Sequence, residues 1–268
     1  MTICIAAIAE NKKILAITDK MITMGGGVAT RYEISENNKA IQLTNKSIGL
    51  FSGNVLSANE ILSVAREKIK SNSNSSTLSV LDVAELIKSS YFEYWATMLN
   101  NQVFCRYALT LETFMQNQKN LNDDLVKEIN NILANTNVGV DILVAGVDSA
   151  PHLYLIQNPG TLNSFDSIGY ALIGSGSQHA QLSLIENEYN ACISEKNGIY
   201  ALLEAKKRAE YDPGVGQLCD LVIIGNTFNK VTPEKTSKIV HEFSESSVEL
   251  KRIKEEKATN IFNLVYAS

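Results

Sequence analysis

The chain has 268 residues, 45% hydrophobic and 20% charged, the balance of an ordinary globular protein with a substantial core, which excludes disorder of the whole chain. Basic residues number 24 against 29 acidic, a net charge of -5, and they are scattered rather than gathered into a stripe, which argues against nucleic acid as a partner. No apolar run reaches the roughly 18 to 20 residues that span a bilayer, and no signal-peptide layout opens the chain, so no membrane contact and a cytoplasmic location are expected.

Two apolar runs, Thr2 to Ala9 and Ile14 to Thr18, flank the polar turn Glu10-Asn11-Lys12-Lys13 and predict a β-hairpin. The cluster Gly25-Gly26-Gly27 marks a mobile loop. A second strand pair is expected at Lys39 to Leu43 and Ser47 to Ser52, around Thr44-Asn45-Lys46 and closed by Gly53. Helices follow near Val55 to Lys70 and Val80 to Asn100, the latter with Ser79 as N-cap, and the polar run Ser71 to Ser76 between them is a loop. Helical periodicity returns from about Thr110 to Ala134.

Strands are next predicted at Gly139 to Val147, His152 to Gln157 and Ser167 to Ile173, joined by Asp148-Ser149-Ala150-Pro151 and Asn158-Pro159-Gly160. Helices at Ser177 to Glu188 and Lys196 to Glu210, a strand at Cys219 to Ile224, and a charged helical stretch at Ser244 to Asn263 complete the chain. The order of strands, two helices, strands, two helices and strand indicates an α+β fold in which two sheets lie between helix pairs. A doubly wound parallel sheet would need βαβ alternation, which is missing. With no repeat and no linker, one domain over 1–268 is expected, carrying a helical insertion near 110–134 and a charged helical extension near 244–268.

The four cysteines, Cys4, Cys105, Cys192 and Cys219, are far apart without CxxC, and the three histidines form no spaced pair. They read as buried free thiols, and neither a metal nor a cofactor is expected. Four other segments could carry chemistry. Loss of Met1 would leave Thr2 with a hydroxyl and a free α-amine, whose unperturbed pKa of about 7.7 to 8.0 leaves a usable neutral fraction near pH 7. Alone, Thr2 reads as simply the first residue of a strand. Asp19, in Thr18-Asp19-Lys20, ends the return strand and comes back beside the amino terminus. Lys39 heads the next strand pair, and a lysine near that hydroxyl and amine would depress the pKa of both. The fourth segment, Leu172-Ile173-Gly174-Ser175-Gly176-Ser177-Gln178-His179-Ala180, fails as a dinucleotide fingerprint and as a Gly-x-Ser-x-Gly elbow. On spacing it is a strand-to-helix turn.

Taken in order from Thr2 to about Gly225, these segments resemble the proteasome β-subunit family and its simpler bacterial ring-protease relatives. Thr2, Asp19 and Lys39 stand where that family has its catalytic threonine, the aspartate of the first hairpin and the lysine of the third strand, allowing one extra residue in the first turn. Gly53, fourteen residues after Lys39, matches the glycine whose N–H helps form the oxyanion hole. Val140 to Asp148 and Pro151 to Tyr154 resemble the family's V-x-V-L-V-A-G-x-D and P-x-L-Y strands, and Gly174-Ser175-Gly176 its Gly-Ser-Gly turn, so Ser175 inherits support of the catalytic amine. Asp212 matches the family's late aspartate, but Val215 replaces the serine three residues on.

The resemblance implies a four-layer αββα sandwich of two antiparallel sheets flanked by helix pairs, the N-terminal nucleophile hydrolase fold. It implies amide hydrolysis by Thr2 in a homo-oligomeric ring, acting on peptides or unfolded proteins, with an unfoldase partner that no motif names. A start without the amino-terminal helix of α subunits points to a β-type chain. Two alternatives stay open: a non-catalytic ring or scaffold protein that keeps Met1, and a small-amide amidase of the wider class.

Overall fold

In the computed structural model, residues 2–24, 30–34, 37–72 and 78–266 are described; Met1, the expected glycine loop at Gly25–Gly27 and residues 73–77 lie outside them. Strands β1 (Cys4–Ala9) and β2 (Lys13–Asp19) form the expected hairpin, with Cys4 opposite Thr18 and Ala9 opposite Lys13. Beyond it lies a ribbon of β3 (Met21–Met24) and β4 (Thr30–Glu33), which sequence pattern did not predict. Its second strand is Thr-Arg-Tyr-Glu, exposed over most of its length, so it shows no apolar alternation.

The second pair, β5 (Ala40–Gln42) and β6 (Ser47–Gly53), leads into α1 (Val55–Ser71) and α2 (Val80–Gln102). Ser79 and Asp82 form a reciprocal capping box at the start of α2, as two orphan N–H groups there require. The helical segment expected at 110–134 is two helices, α3 (Leu111–Asn117) and α4 (Asp123–Asn135). Asn122 breaks the pattern by capping α4, its side chain accepting from the N–H groups of Asp124 and Leu125.

There follow β7 (Val140–Val147), β8 (Pro151–Gln157), β9 (Thr161–Ser164), β10 (Tyr170–Ile173), α5 (Ser177–Glu186), α6 (Glu195–Ala209), β11 (Cys219–Ile224), β12 (Phe228–Lys230) and α7 (Pro233–Tyr266). β9 and β12 escaped the sequence reading because they are short, polar edge strands. The strand expected from Ser167 begins only at Tyr170. The helix expected over 244–263 is the distal part of α7, which starts at Pro233 and runs 34 residues, about 51 Å. Proline suits a first helical turn, where its missing N–H has no partner to lose.

Two five-stranded antiparallel sheets result, ordered β10-β1-β2-β11-β12 and β5-β6-β7-β8-β9. Strand alternation divides their side chains into three cores. Ile3, Ile5, Leu15 and Ile17 pack toward α5 and α6, while Phe51, Val140, Ile142 and Ile156 pack toward α1 and α2. Between the sheets lie Cys4, Ala6, Ile48, Leu50, Leu143, Ala145, Leu153 and Leu155. The layers are therefore helix, sheet, sheet, helix, the α+β sandwich the sequence led us to expect. Among the described residues no helix is long and apolar enough to cross a membrane, and no cluster of His, Cys, Asp and Glu could hold a metal ion.

Asp148 ties α2 to the second sheet. Its Oδ2 accepts from the Val80 N–H at 2.8 Å, and its Oδ1 from the Ser149 N–H at 2.5 Å. Burial opposes its ionisation, but the N–H groups of Val80, Ser149 and Ala150, together with His152, outweigh burial and hold the carboxyl below its ordinary range. A depressed folded-state pKa means stability present above the unfolded value of about 3.9 and lost as pH falls through the folded one. Asp148→Asn is therefore expected to lower Tm near neutrality and to flatten its decline in acid, as thermal melts from pH 7 to 2 would show.

Candidate active site

Thr2 lies two residues before β1 and shares strand parity with Cys4, Ala6 and Ile8, whose side chains fill the space between the sheets. The hairpin register places Asp19 opposite Ile3: the Asp19 N–H donates to Ile3 O at 3.1 Å and the Ile3 N–H to Asp19 Oδ1 at 3.0 Å. Lys39 arrives from the other sheet, at the residue before β5. Its Nζ donates to Asp19 Oδ1 at 2.6 Å and also to Thr2 Oγ1, and Thr2 Oγ1 donates to the same Asp19 oxygen. Thr2, Asp19 and Lys39 are 2%, 0% and 3% exposed, so three residues dispersed over 38 positions close one buried triangle.

A buried ion pair persists only when its remaining lone pairs are satisfied. Asp19 Oδ2 accepts from the N–H groups of Met21 at 3.1 Å and Gly216 at 3.0 Å. Gly216 was missed by the sequence reading, because it contributes only a backbone N–H, delivered by the loop between α6 and β11. Lys20 forms a second buried pair, with Asp220 Oδ1 at 2.9 Å, and is not part of the triangle.

Gly53 ends β6 with φ of 96°, a conformation that disfavours any side chain, and a Cβ there would overlap Gly139 O. The Asn54 N–H donates to Gly139 O at 2.8 Å, which makes Gly53 and Val140 a non-hydrogen-bonded pair and turns the Gly53 N–H away from β7. On that other side the β5 pairing ends with the Phe51 N–H on Lys39 O at 3.3 Å. Among the described residues the Gly53 N–H meets no acceptor, so it is available to a ligand.

Ser175 sits on the turn between β10 and α5. Its Oγ accepts from the Thr2 N–H at 3.4 Å, while the Gly176 N–H donates to Thr2 O at 3.2 Å. Gly174, with φ of 106°, lies so close to Thr2 O that a Cβ could not be placed. Thr2, Gly53 and Ser175 line one cavity of about 380 Å³, together with Ser52, Asp141 and Gln157. A larger depression of about 640 Å³, between α6 and α7 beside Tyr211, Phe243 and Val248, contains none of these groups.

Asp212 stands differently from the other candidates. Its Oδ1 accepts from the Gly214 N–H at 2.6 Å and its carbonyl from the Val215 N–H at 3.0 Å, and no bond joins it to Thr2. It shapes the turn that presents Gly216. Val215 is buried in the core beneath α5 and α6, against Gly176, where a Cβ on the glycine would come within 2.7 Å of a valine methyl. Of the thiols expected to be buried, Cys4 and Cys219 are, but Cys105 and Cys192 are exposed, on a 3-10 turn and on a polar loop; Cys4, the nearest in sequence to Thr2, donates to Phe51 O at 3.3 Å. Burial, then the Asp19 charge, push its pKa up against the opposing pull of Lys39 and that hydrogen bond, which leaves it a poor nucleophile.

The triangle of hydroxyl, ammonium and carboxylate, with a free N–H across a cavity, can activate an oxygen nucleophile and stabilise negative charge on a bound carbonyl. No curated protein matches the chain. The family model described as Proteasome subunit matches residues 116–224, a stretch from α3 to the end of β11 that holds Ser175, Asp212 and Val215 but not Thr2, Asp19, Lys39 or Gly53. Over that stretch the chain is similar to a proteasome subunit, and the four-layer antiparallel arrangement around it is consistent with a proteasome-like α+β fold.

Proposed function

We propose that this protein is an N-terminal nucleophile amide hydrolase in which Thr2, freed by removal of Met1, attacks peptide bonds. The observation that carries the reading is the buried contact of Thr2 Oγ1 with both Lys39 and Asp19. The α-amine of Thr2 takes the Oγ1 proton, through a water, as Oγ1 bonds to the carbonyl carbon. The Gly53 N–H receives the developing oxyanion, a contribution worth about 2.7 to 4 kcal/mol per donor in other enzymes. The ammonium then protonates the departing amine as the C–N bond breaks, and water, deprotonated by the same amine, hydrolyses the ester. Lys39 supplies positive charge beside the nucleophile, Asp19 anchors Lys39, and Ser175 Oγ supports the amine.

Assembly into a homo-oligomeric ring belongs to the same proposal. It is supported by large apolar side chains exposed on α5 and distal α7, among them Leu182, Ile185, Ile261 and Val265. Peptides or unfolded proteins would be the substrates of such a chamber. Val215 favours a second reading, a non-catalytic member that keeps Met1, because methyl groups stand where the family places a hydroxyl near the nucleophile. Intact-mass analysis of the protein from native cells, combined with a threonine-directed covalent probe, separates the two. Loss of Met1 and labelling of Thr2 are expected; a retained Met1 would overturn the hydrolase reading.

A further inference from the structure

Cross-strand pairing sets Ser52 opposite Asp141, and continues the β7–β8 register from Ile142 opposite Ile156 to Asp141 beside Gln157. These three residues form a row across the ends of β6, β7 and β8. By strand alternation the row faces the space between the sheets, since the next residues inward on that face are Leu50, Leu143 and Leu155. It is the wall of the Thr2 cavity. Gln157 Nε2 donates to Asp141 Oδ1 at 3.1 Å and fixes the carboxylate.

Among the described residues lining that cavity, Asp141 has the one formally charged side chain; Lys39 is not part of the lining and is bound to Asp19. No lysine, arginine or histidine pairs with Asp141 among the described residues, and its Oδ2 has no hydrogen-bond donor there. Its field is felt next door: burial, then the Asp141 charge, push the phenol of Tyr91 upward. A partly buried carboxylate held by an amide and without a cationic partner stands out in a wall otherwise built of hydroxyls, amides and aliphatic groups.

We propose that Asp141 is a specificity-determining residue that selects substrates with a cationic side chain, lysine or arginine, next to the bond cleaved. The proposal rests on the hydrolase reading above and names its substrate class. An ammonium or guanidinium entering the cavity would replace water at Oδ2 and form an ion pair in a site poorly screened by solvent.

The test uses capped fluorogenic peptides identical except for lysine, norleucine or glutamate on either side of the scissile bond. Wild-type protein should prefer lysine to norleucine on one side by roughly five- to tenfold in kcat/KM, mostly through KM, with glutamate the poorest. In Asp141→Asn the lysine-to-norleucine ratio should fall to about one, and Asp141→Lys should favour glutamate. A lysine preference that survives in both variants, or never exists, overturns the assignment. Norleucine turnover that disappears in Thr2→Ala tests the hydrolase reading separately. If no peptide is cleaved, calorimetry with benzamidine and neutral benzamide still decides: tighter benzamidine binding that vanishes in Asp141→Asn supports the site, and equal binding refutes it.

Discussion

Thr2→Ala is expected to lower fluorogenic-peptide turnover on the order of 10³-fold or more while leaving fold and assembly intact. The large effect follows from removal of the only atom that could form the ester. The small structural effect follows from the hydrogen bonds that remain: without the hydroxyl, Lys39 and Asp19 still meet at 2.6 Å, and Asp19 keeps its backbone donors Ile3, Met21 and Gly216. No charge is orphaned, so a stability loss of only about 1 kcal/mol is expected, that of one hydrogen-bonding group. Thr2→Ser retains the oxygen and should keep a measurable share of activity. Steady-state kinetics beside urea unfolding would separate the two effects, and unchanged turnover in the alanine variant would place the chemistry elsewhere.

Asp19→Ala should instead unfold the site. Its carboxylate accepts five hydrogen bonds, from Thr2, Lys39 and the N–H groups of Ile3, Met21 and Gly216. Alanine leaves the Lys39 ammonium buried without a counter-charge and three backbone donors without an acceptor. Breaking a buried pair in this way costs about 3 to 5 kcal/mol. Lys39→Met should cost less, because the backbone donors continue to stabilise the lone carboxylate. Combining Lys39→Met with Asp19→Asn should recover part of the loss by removing both charges. Urea midpoints for the three variants give the order; an Asp19→Ala midpoint within 1 kcal/mol of wild type would show that the pair is not what holds the two sheets together at this end.

Several elements were legible because their local signals agree with their tertiary roles. The β1–β2 hairpin has apolar runs on both sides of a polar turn, and α2 has its capping box written in Ser79 and Asp82. Thr2, Asp19, Lys39, Gly53 and Ser175 were reached through their resemblance to a family pattern, each being a residue type tied to a particular backbone position. The β3–β4 ribbon, β9 and β12 were not legible, since exposed short strands owe their structure to a neighbour's edge rather than to any apolar period. The start of α7 was hidden for a similar reason: its first turn is polar, and among the described residues it is Ile239, Val240 and Phe243 whose apolar side chains pack against the α5–α6 side.

The sequence by itself determined the α+β class, the order of most strands and helices, and which hydroxyl, carboxylate and lysine were worth bringing together. Tertiary structure alone decided that they meet, because Lys39 reaches Thr2 from the opposite sheet, across the space between the two layers. It also decided which partners carry no side-chain signal. The Gly216 N–H reaches Asp19 from a loop 197 positions away, Asp212 shapes that loop without touching Thr2, and Asp141 enters the cavity through a row of cross-strand neighbours. Local pattern reports periodicity and turn chemistry, whereas a buried charge, a free backbone N–H or a lone wall carboxylate is defined by what lies across from it.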